Sequence, residues 1–310
     1  MRIGVFIGEA SGARTTAAEL VANAKAAEAA GFSTGWVPHI PWSLDALTAM
    51  ALAADATSTI ELGTAVVPTY PRHPLSMAQD ALTVQALAGG RFSIGIGPSH
   101  PTVIENMYGL SYHRPAAHTA EYVQVLRACF QTGPDDNMVS FAGEFFRFTS
   151  MLEVPGASPV PILVAALAPR MLELTGRLAD GTITYWADEH AVETHVVPSI
   201  TKAAADAGRP APRVVAGLPV ALVTDVDEAR RRAGELFTAY ESISTYQRIL
   251  SRGEAGNPVD TAIIGDEKTV AERVRRFADA GATDFMASAL GLDDDRAGSR
   301  QRTLELLASL

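Results

Sequence analysis

The feature that most constrains the fold is a strand, a helix and a second strand that follow one another between residues 60 and 97. Residues 60–67 form a short β-branched apolar run closed by prolines, and residues 92–96 form another. Between them, Pro74 begins a segment with helical apolar spacing that Gly89 and Gly90 end. This order predicts a βαβ unit with parallel strands, whose carboxyl ends are the usual place for chemistry.

The same alternation runs through the rest of the chain. The apolar runs predict further strands at residues 2–7, 33–37, 161–165, 182–184, 214–223 and 284–288, with helices between them. Eight such strands in 310 residues indicate a (β/α)8 TIM barrel, and we expect a single domain over residues 1–310. A doubly wound open sheet is the alternative. It usually carries a glycine-rich nucleotide fingerprint after the first strand, and residues 8–12 do not form one.

Two segments are longer than ordinary connections, and we expect both to be insertions on the active-site face. Within residues 132–160, the pattern predicts a β-hairpin with strands at 139–141 and 145–147. Residues 241–258 show no clear period.

Composition limits the partners of the chain. A hydrophobic share of 47% and a charged share of 19% are typical of globular proteins, and no apolar run approaches the ~20 residues of a membrane span. A formal charge of −10 argues against nucleic acid or an anionic membrane as a partner. The first residues read as a strand and not as a signal peptide, which predicts a cytoplasmic protein.

Two histidines follow predicted strands and are candidates for proton transfer. His39 lies in a proline-rich loop after the second strand, and His100 ends the run Gly97-Pro98-Ser99-His100 after the fourth. Imidazole titrates near neutrality and is therefore suited to acid–base work. From the residues alone, a histidine that only fills polar space on its loop is the favoured interpretation of His39. The run that ends at His100 also has a structural alternative, because Ser99 could cap a short helix that begins at Pro101.

Residues 165–171 form a turn of small residues before a predicted helix. Small side chains let a phosphate approach the free amides and the positive dipole of a helix start, and Arg170 could add an ion pair. Such turns are common in any strand–helix connection, so the pattern alone does not specify a phosphate. Tyr185 and Trp186 follow the sixth strand and could line a substrate cavity or only pack.

Several motifs carry a family resemblance. They are Leu62-Gly63-Thr64-Ala65-Val66, Arg72-His73-Pro74, Gly89-Gly90-Arg91-Phe92, Gly95-Ile96-Gly97 and Ala179-Asp180-Gly181. Together they resemble the bacterial luciferase-like superfamily. His39, the run that ends at His100 and the later Tyr108-Gly109-Leu110 most resemble its actinobacterial branch of oxidoreductases, which use the 8-hydroxy-5-deazaflavin coenzyme F420.

The resemblance implies a (β/α)8 enzyme that transfers a hydride between F420 and a small organic substrate, as a reductase or a dehydrogenase. It also implies a homodimer, because family members often pair through barrel helices. An FMN-dependent monooxygenase that works with a separate flavin reductase is the alternative, and a non-catalytic ligand-binding barrel is another. Related sugar-phosphate dehydrogenases carry aspartate at the position of Pro38 and glutamate at that of His100, so these two contacts differ here.

The resemblance also implies the site residues. His39 and His100 are the expected catalytic residues. A non-proline cis peptide is expected at Ala65-Val66. The expected coenzyme contacts are His39, Thr64, Ala65, Val66, Pro68, Pro98, Ser99, His100, Ala165, Ala166, Leu167, Ala168, Arg170 and Met171. The expected substrate contacts are Trp42, Thr184, Tyr185 and Trp186.

Two further inferences concern ligand chemistry. A sugar-phosphate clamp would need several Lys or Arg at the later strand ends, where lysine is almost absent, so we expect an uncharged and partly apolar substrate. No metal is expected, since His113 and His118 lack a third ligand at suitable spacing. His190 and His195 fall on a segment whose pattern indicates a solvated helix.

Overall fold

The computed structural model of the chain describes residues 1–9, 14–133 and 135–310, so part of the stretch 8–12 and residue 134 lie outside the description. Its strands are β1 Arg2–Phe6, β2 Thr34–Val37, β3 Glu61–Thr64, β4 Val67–Pro68, β5 Phe92–Gly97, β6 Met138–Ala142, β7 Arg147–Met151, β8 Ile162–Ala165, β9 Gly181–Tyr185, β10 Arg213–Leu222, β11 Ile263–Gly265 and β12 Asp284–Ala289.

Helices separate the strands. The α-helices are α1 Ala17–Ala29, α2 Ala46–Ala56, α3 Pro74–Leu87, α4 Pro115–Cys129, α5 Pro169–Leu178, α6 Glu189–Ala191, α7 Val197–Asp206, α8 Val226–Glu241, α9 Ser244–Leu250, α10 Pro258–Thr261, α11 Glu267–Asp279 and α12 Arg296–Ser309. Two segments, Thr102–Met107 and Val192–Val196, are π-helical. In the described part of the chain, no helix is long and apolar enough to cross a membrane.

The main sheet closes on itself. Within the described residues, eight parallel strands follow the order β1, β2, β3, β5, β8, β9, β10 and β12, and β12 pairs again with β1. The short strand β4 extends the path of β3 and pairs with β5, while β11 pairs with β10. The predicted (β/α)8 barrel is therefore confirmed, and an open doubly wound sheet is excluded because the barrel is closed.

The barrel interior is filled by large side chains from six strands. These are Phe6, Trp36, Leu163, Ile183, Val215 and Met286. Trp36 fits because Gly63 has no side chain, since a Cβ there would lie 2.3 Å from the indole ring. Ala65, Val66 and Tyr185 pack against this cluster and are only partly buried. They form an apolar floor beneath the mouth of the barrel.

Both predicted insertions contain regular structure. The hairpin pairs β6 with β7, so its second strand begins at Arg147, two residues after the predicted start at residue 145. Glu121 on α4 explains the shift, because its carboxylate accepts hydrogen bonds from the amides of residues 144, 145 and 146 and holds them in the turn. Residues 241–258, which showed no clear period, contain the helix α9, and α10 begins at their last residue, Pro258.

Candidate functional site

His39 lies where β2 ends, and both of its ring nitrogens have neighbours. The amide of Ala46 donates to Nδ1 at 3.4 Å, and the carboxylate of Asp45 lies 3.5 Å from the same nitrogen. On the other side of the ring, the hydroxyl of Tyr108 lies 3.4 Å from Nε2. The imidazole side chain is only 10% exposed, so it is held between the start of α2 and the loop that follows β5.

Charged residues surround the Nδ1 side of His39. Asp45 is the N-cap of α2 and accepts a hydrogen bond from the Thr48 amide at 2.9 Å. Its carboxylate also forms an ion pair with Arg72, which in turn pairs with Asp80 at 3.3 Å. Burial lowers the pKa of His39 below its ordinary value; the negative charge of Asp45 opposes this shift and the positive charge of Arg72 adds to it. The ring is therefore neutral at pH 7.

His100 is held by a segment that is distant in sequence. Oγ1 of Thr245 lies 3.2 Å from Nδ1 of His100, and the ring of Tyr246 meets the imidazole edge-on at 5.3 Å between centroids. Burial lowers the pKa of His100. The preceding Ser99 has a φ of +62°, which side-chain-bearing residues rarely adopt, and Tyr112 donates to its carbonyl at 3.1 Å. These three contacts hold the His100 loop in place.

The floor of the mouth contains the expected cis peptide. The bond between Ala65 and Val66 is cis, as the resemblance implied, and both residues are half-buried. Pro68 is buried in β4. Thr64 is also fully buried, and its hydroxyl donates to the Gly95 carbonyl at 2.8 Å and accepts from the Gly95 amide at 2.9 Å. The Thr64 hydroxyl is therefore fully engaged with Gly95, so only the backbone of Thr64 is available to contact a coenzyme.

The turn 165–171 joins β8 to α5, and its start is uncapped. Ala168 is the N-cap of α5 and makes no side-chain hydrogen bond to the helix. The amides of Arg170 and Met171 lie in the first helical turn, where the helix itself supplies no acceptor. Ala166 is buried, while the Arg170 side chain is exposed. This geometry fits an anion at the helix start.

A histidine from a later segment forms a hydrogen bond with the turn 165–171, and the sequence did not predict this contact. Nε2 of His195 lies 2.8 Å from the carbonyl oxygen of Leu167. A carbonyl oxygen only accepts hydrogen bonds, so Nε2 carries the proton and donates it. His195 is 9% exposed, and the expectation that it lies on a solvated helix is wrong. The π-helical segment Val192–Val196 turns this side chain inward.

The four expected substrate contacts differ in exposure. Tyr185 is partly buried and packs near Tyr240 and Tyr246, with ring centroids 6.3 and 6.5 Å away. Thr184 and Trp186 are almost fully buried, so their side chains do not reach the open mouth. Trp42, in contrast, is 60% exposed on the loop after His39.

The structure also adds residues that sequence reasoning missed. Thr245, Tyr246 and His195 carried no local signal, because each acts on a residue at least 28 positions away. The motif that contains Tyr108 supported the family resemblance, but sequence reasoning assigned Tyr108 no catalytic or binding role. Among residues 1–9, 14–133 and 135–310, no group of three His, Cys, Asp or Glu residues is placed to hold a metal ion.

The family of the chain follows from comparison with known proteins. A sequence model of the family described as luciferase-like monooxygenase matches residues 1–284. The chain belongs to this family. The predicted superfamily resemblance is thereby confirmed.

Individual members show the range of the luciferase-like family. The F420-dependent hydroxymycolic acid dehydrogenase of Mycobacterium tuberculosis is 29% identical over 287 residues, covering 86% of this chain and 78% of the relative. The 5,10-methylenetetrahydromethanopterin reductase of Methanolobus tindarius is 28% identical over 234 residues, covering 74% of this chain and 69% of the relative.

Solved structures share the luciferase-like fold with this chain. An F420-dependent secondary alcohol dehydrogenase in complex with an F420-acetone adduct superposes with a TM-score of 0.79 at 20% identity, covering 99% of this chain and 97% of that chain. The oxygenating constituent of 3,6-diketocamphane monooxygenase from Pseudomonas putida, in complex with FMN, gives 0.77 at 16% identity, covering 99% and 96%. These structural similarities support the assignment of the (β/α)8 barrel fold.

Proposed function

We propose that this luciferase-like protein transfers a hydride between coenzyme F420 and a small uncharged organic substrate, as a reductase or dehydrogenase. The observation that carries the proposal is the pair of partly buried histidines, His39 and His100, which follow β2 and β5 at the mouth of the barrel above an apolar floor. A flat tricyclic ring could lie on Ala65 and Val66, with imidazoles at its rim. Tyr185 completes the floor.

The remaining contacts suit the rest of the coenzyme. The uncapped first turn of α5 would hold the phosphate through the amides of Arg170 and Met171 and through the Arg170 guanidinium. His195 would keep the Leu167 carbonyl turned away from the anion. The backbone of Thr64, together with Pro68, Pro98 and Ser99, would surround the ring. When bound, the reduced coenzyme supplies a hydride, and the protein has to place the substrate and provide a proton.

Relatives support F420 as the coenzyme. The hydroxymycolic acid dehydrogenase and the secondary alcohol dehydrogenase are both F420-dependent by name, and each covers most of this chain. We therefore assign F420 to this chain as part of the proposal. FMN is the second candidate, because the family is described as monooxygenases and one structural neighbour contains FMN.

The positions of the later lysines support an uncharged substrate. Lys202 and Lys268 are the only lysines after residue 25, and both project into solvent from the outer helices α7 and α11. Neither can hold a substrate phosphate at the barrel mouth. An enone, imine, aldehyde, ketone or secondary alcohol, held beside Tyr185 and Trp42, fits this environment better.

A paired titration tests the coenzyme. Oxidised F420 and FMN are added separately while the fluorescence of Trp36, Trp42 and Trp186 is recorded; Trp36 lies directly beneath the proposed ring site. Micromolar binding of F420 and much weaker binding of FMN are expected. Reduced F420 is then offered a panel of enones and aldehydes, and its oxidation is followed by absorbance. Preferential FMN binding, with oxygen consumption by the reduced flavin complex, would refute the proposal in favour of a monooxygenase.

We also propose that the chain acts as a cytoplasmic homodimer built from one domain. Light scattering coupled to size-exclusion chromatography should give about twice the 32.7 kDa chain mass. Limited proteolysis should cleave first in the insertions 132–160 and 241–258 and should leave the barrel intact.

A further inference from the structure

The proposed function leaves open which group delivers the proton at the reacting atom. His39 and His100 are the obvious candidates, but each is already engaged by neighbouring residues. Tyr108 is the additional titratable group in contact with His39. It follows the π-helical segment Thr102–Met107 and is only partly buried, so its hydroxyl lies beside His39 without being sealed in the core.

The proton positions on His39 follow from its neighbours. A backbone amide can only donate, so the Ala46 contact makes Nδ1 an acceptor. A neutral imidazole carries one proton, which must then lie on Nε2. Nε2–H therefore points at the oxygen of Tyr108, 3.4 Å away.

This arrangement leaves the Tyr108 proton available. A tyrosine hydroxyl has one proton and two lone pairs, and His39 uses a lone pair. No described residue of this chain accepts a hydrogen bond from Tyr108. The hydroxyl is therefore oriented by His39, while its own proton can point at a ligand.

The surroundings of His39 keep the ring neutral. The Asp45 carboxylate beside Nδ1 is shared with Arg72 and with Thr48, which limits its pull on an imidazole proton. Burial lowers the pKa of His39 and the Arg72 charge adds to this shift, against the opposing effect of Asp45. Nε2 thus remains a donor to Tyr108 at neutral pH.

We infer that Tyr108 is the catalytic proton donor of this site and that His39 positions it. The inference rests on the proposed hydride transfer. In the reductive direction, the carbonyl oxygen of the substrate accepts a hydrogen bond from the Tyr108 hydroxyl. The bound coenzyme would supply a hydride to the carbonyl carbon; as the carbon–oxygen π bond breaks, the oxygen takes the Tyr108 proton to form an alcohol.

The tyrosinate that remains is stabilised by Nε2–H of His39 and recovers a proton from water at the open mouth. Charge and atoms balance: the substrate gains the hydride that the reduced coenzyme would supply and the proton of Tyr108, and water returns a proton to Tyr108. In the opposite direction, Tyr108 as tyrosinate takes the alcohol proton while the hydride leaves the carbon.

The decisive variant is Tyr108→Phe, which removes only the hydroxyl. We expect F420 binding and the thermal midpoint to stay close to wild type, and kcat for carbonyl reduction to fall about a hundredfold or more, with KM little changed. Tyr70→Phe is the matched control, because its hydroxyl donates to the His113 carbonyl and has no contact with His39. Its kcat should equal that of the wild type.

A second readout uses the free protein without coenzyme. In nitrogen-15 spectra of the imidazoles, Tyr108→Phe should shift the Nε2 resonance of His39 and leave that of His190 unchanged. His39→Gln, which keeps a donor toward Tyr108, should retain more activity than His39→Ala. Wild-type kcat in Tyr108→Phe would overturn the assignment of Tyr108 alone. Failure of the wild-type protein to bind F420 or to reduce any carbonyl compound would refute the proposed function, and the proton-donor role with it.

Discussion

Oγ1 of Thr245 lies 3.2 Å from Nδ1 of His100, although 145 positions separate the two residues. One belongs to α9 in the long insertion and the other to the loop after β5. The insertion therefore reaches the loop that carries His100. It sets the orientation of one of the two candidate histidines, and the neighbouring Tyr246 packs on the same ring.

Thr245→Val should reduce kcat/KM about fivefold. The valine side chain has nearly the same shape but lacks the hydroxyl, and a hydrogen bond of this kind contributes about 1 kcal/mol. Steady-state kinetics with reduced F420 measures the effect. The control is Thr238→Val, because that hydroxyl bonds only within exposed α8. Equal kcat/KM in both variants would show that Thr245 does not set the His100 geometry.

His195→Ala should weaken coenzyme binding several-fold. The imidazole holds the Leu167 carbonyl at 2.8 Å, so its removal loosens the turn before the uncapped start of α5. Fluorescence titration gives the dissociation constant. His195→Gln, whose amide can still donate to the carbonyl, should recover much of the affinity. His190→Ala is the control, since that side chain is 45% exposed on the adjoining helix α6. Unchanged affinity in His195→Ala would contradict a role for the turn.

Arg213→Met should lower the free energy of unfolding by about 3 kcal/mol. Arg213 donates to both carboxylate oxygens of Asp284, at 2.8 and 3.0 Å, and also pairs with Glu61. Asp284 is only 3% exposed, so the substitution leaves a buried carboxylate with Arg2 as its remaining charged partner and the Thr283 hydroxyl as a hydrogen-bond donor. Urea denaturation measures the change.

Arg231→Met provides the comparison for Arg213→Met. Arg231 makes exposed ion pairs with Glu228 and Glu235 along α8, and such pairs contribute little in water. Its urea midpoint should remain near that of the wild type. Similar midpoints for the two variants would show that the network around Asp284 is not a main source of stability.

His118 should make the protein less stable as the pH falls below neutrality. Its ring stacks on Tyr70 at 4.2 Å, and burial lowers its pKa from 6.5 to about 4, while Glu121 opposes the shift. Between these two values the unfolded chain binds a proton that the folded protein does not, so the free energy of unfolding decreases with decreasing pH. Urea denaturation from pH 7 to 4.5 should show this slope.

His118→Gln tests the assignment of that slope. Glutamine cannot gain a proton, so the variant should show a smaller loss of stability over the same pH range, even though it is less stable at pH 7. His113→Gln serves as the control, because His113 contributes its backbone carbonyl to Tyr70 and that atom is unchanged. The same slope in His118→Gln and in the wild type would assign the acid sensitivity to other groups.

Much of the barrel could be predicted because its pattern is local. Short apolar runs such as β5 indicate a strand buried on both faces, and the prolines and glycines around α3 mark where the chain has to turn. The Ala65-Val66 cis peptide was expected from the family resemblance alone. The start of β7 was misplaced by two residues because Glu121, from another helix, holds the hairpin turn.

The sequence by itself determined the strand and helix order, and it placed His39, His100 and the turn 165–171 at strand ends, since burial and turn chemistry depend on near neighbours. Only the tertiary structure decided which groups meet there. Closing the barrel brings Tyr108 to His39, Thr245 to His100 and His195 to Leu167. No local pattern records these contacts, because each depends on the packing of segments that come together only when the whole sheet has closed.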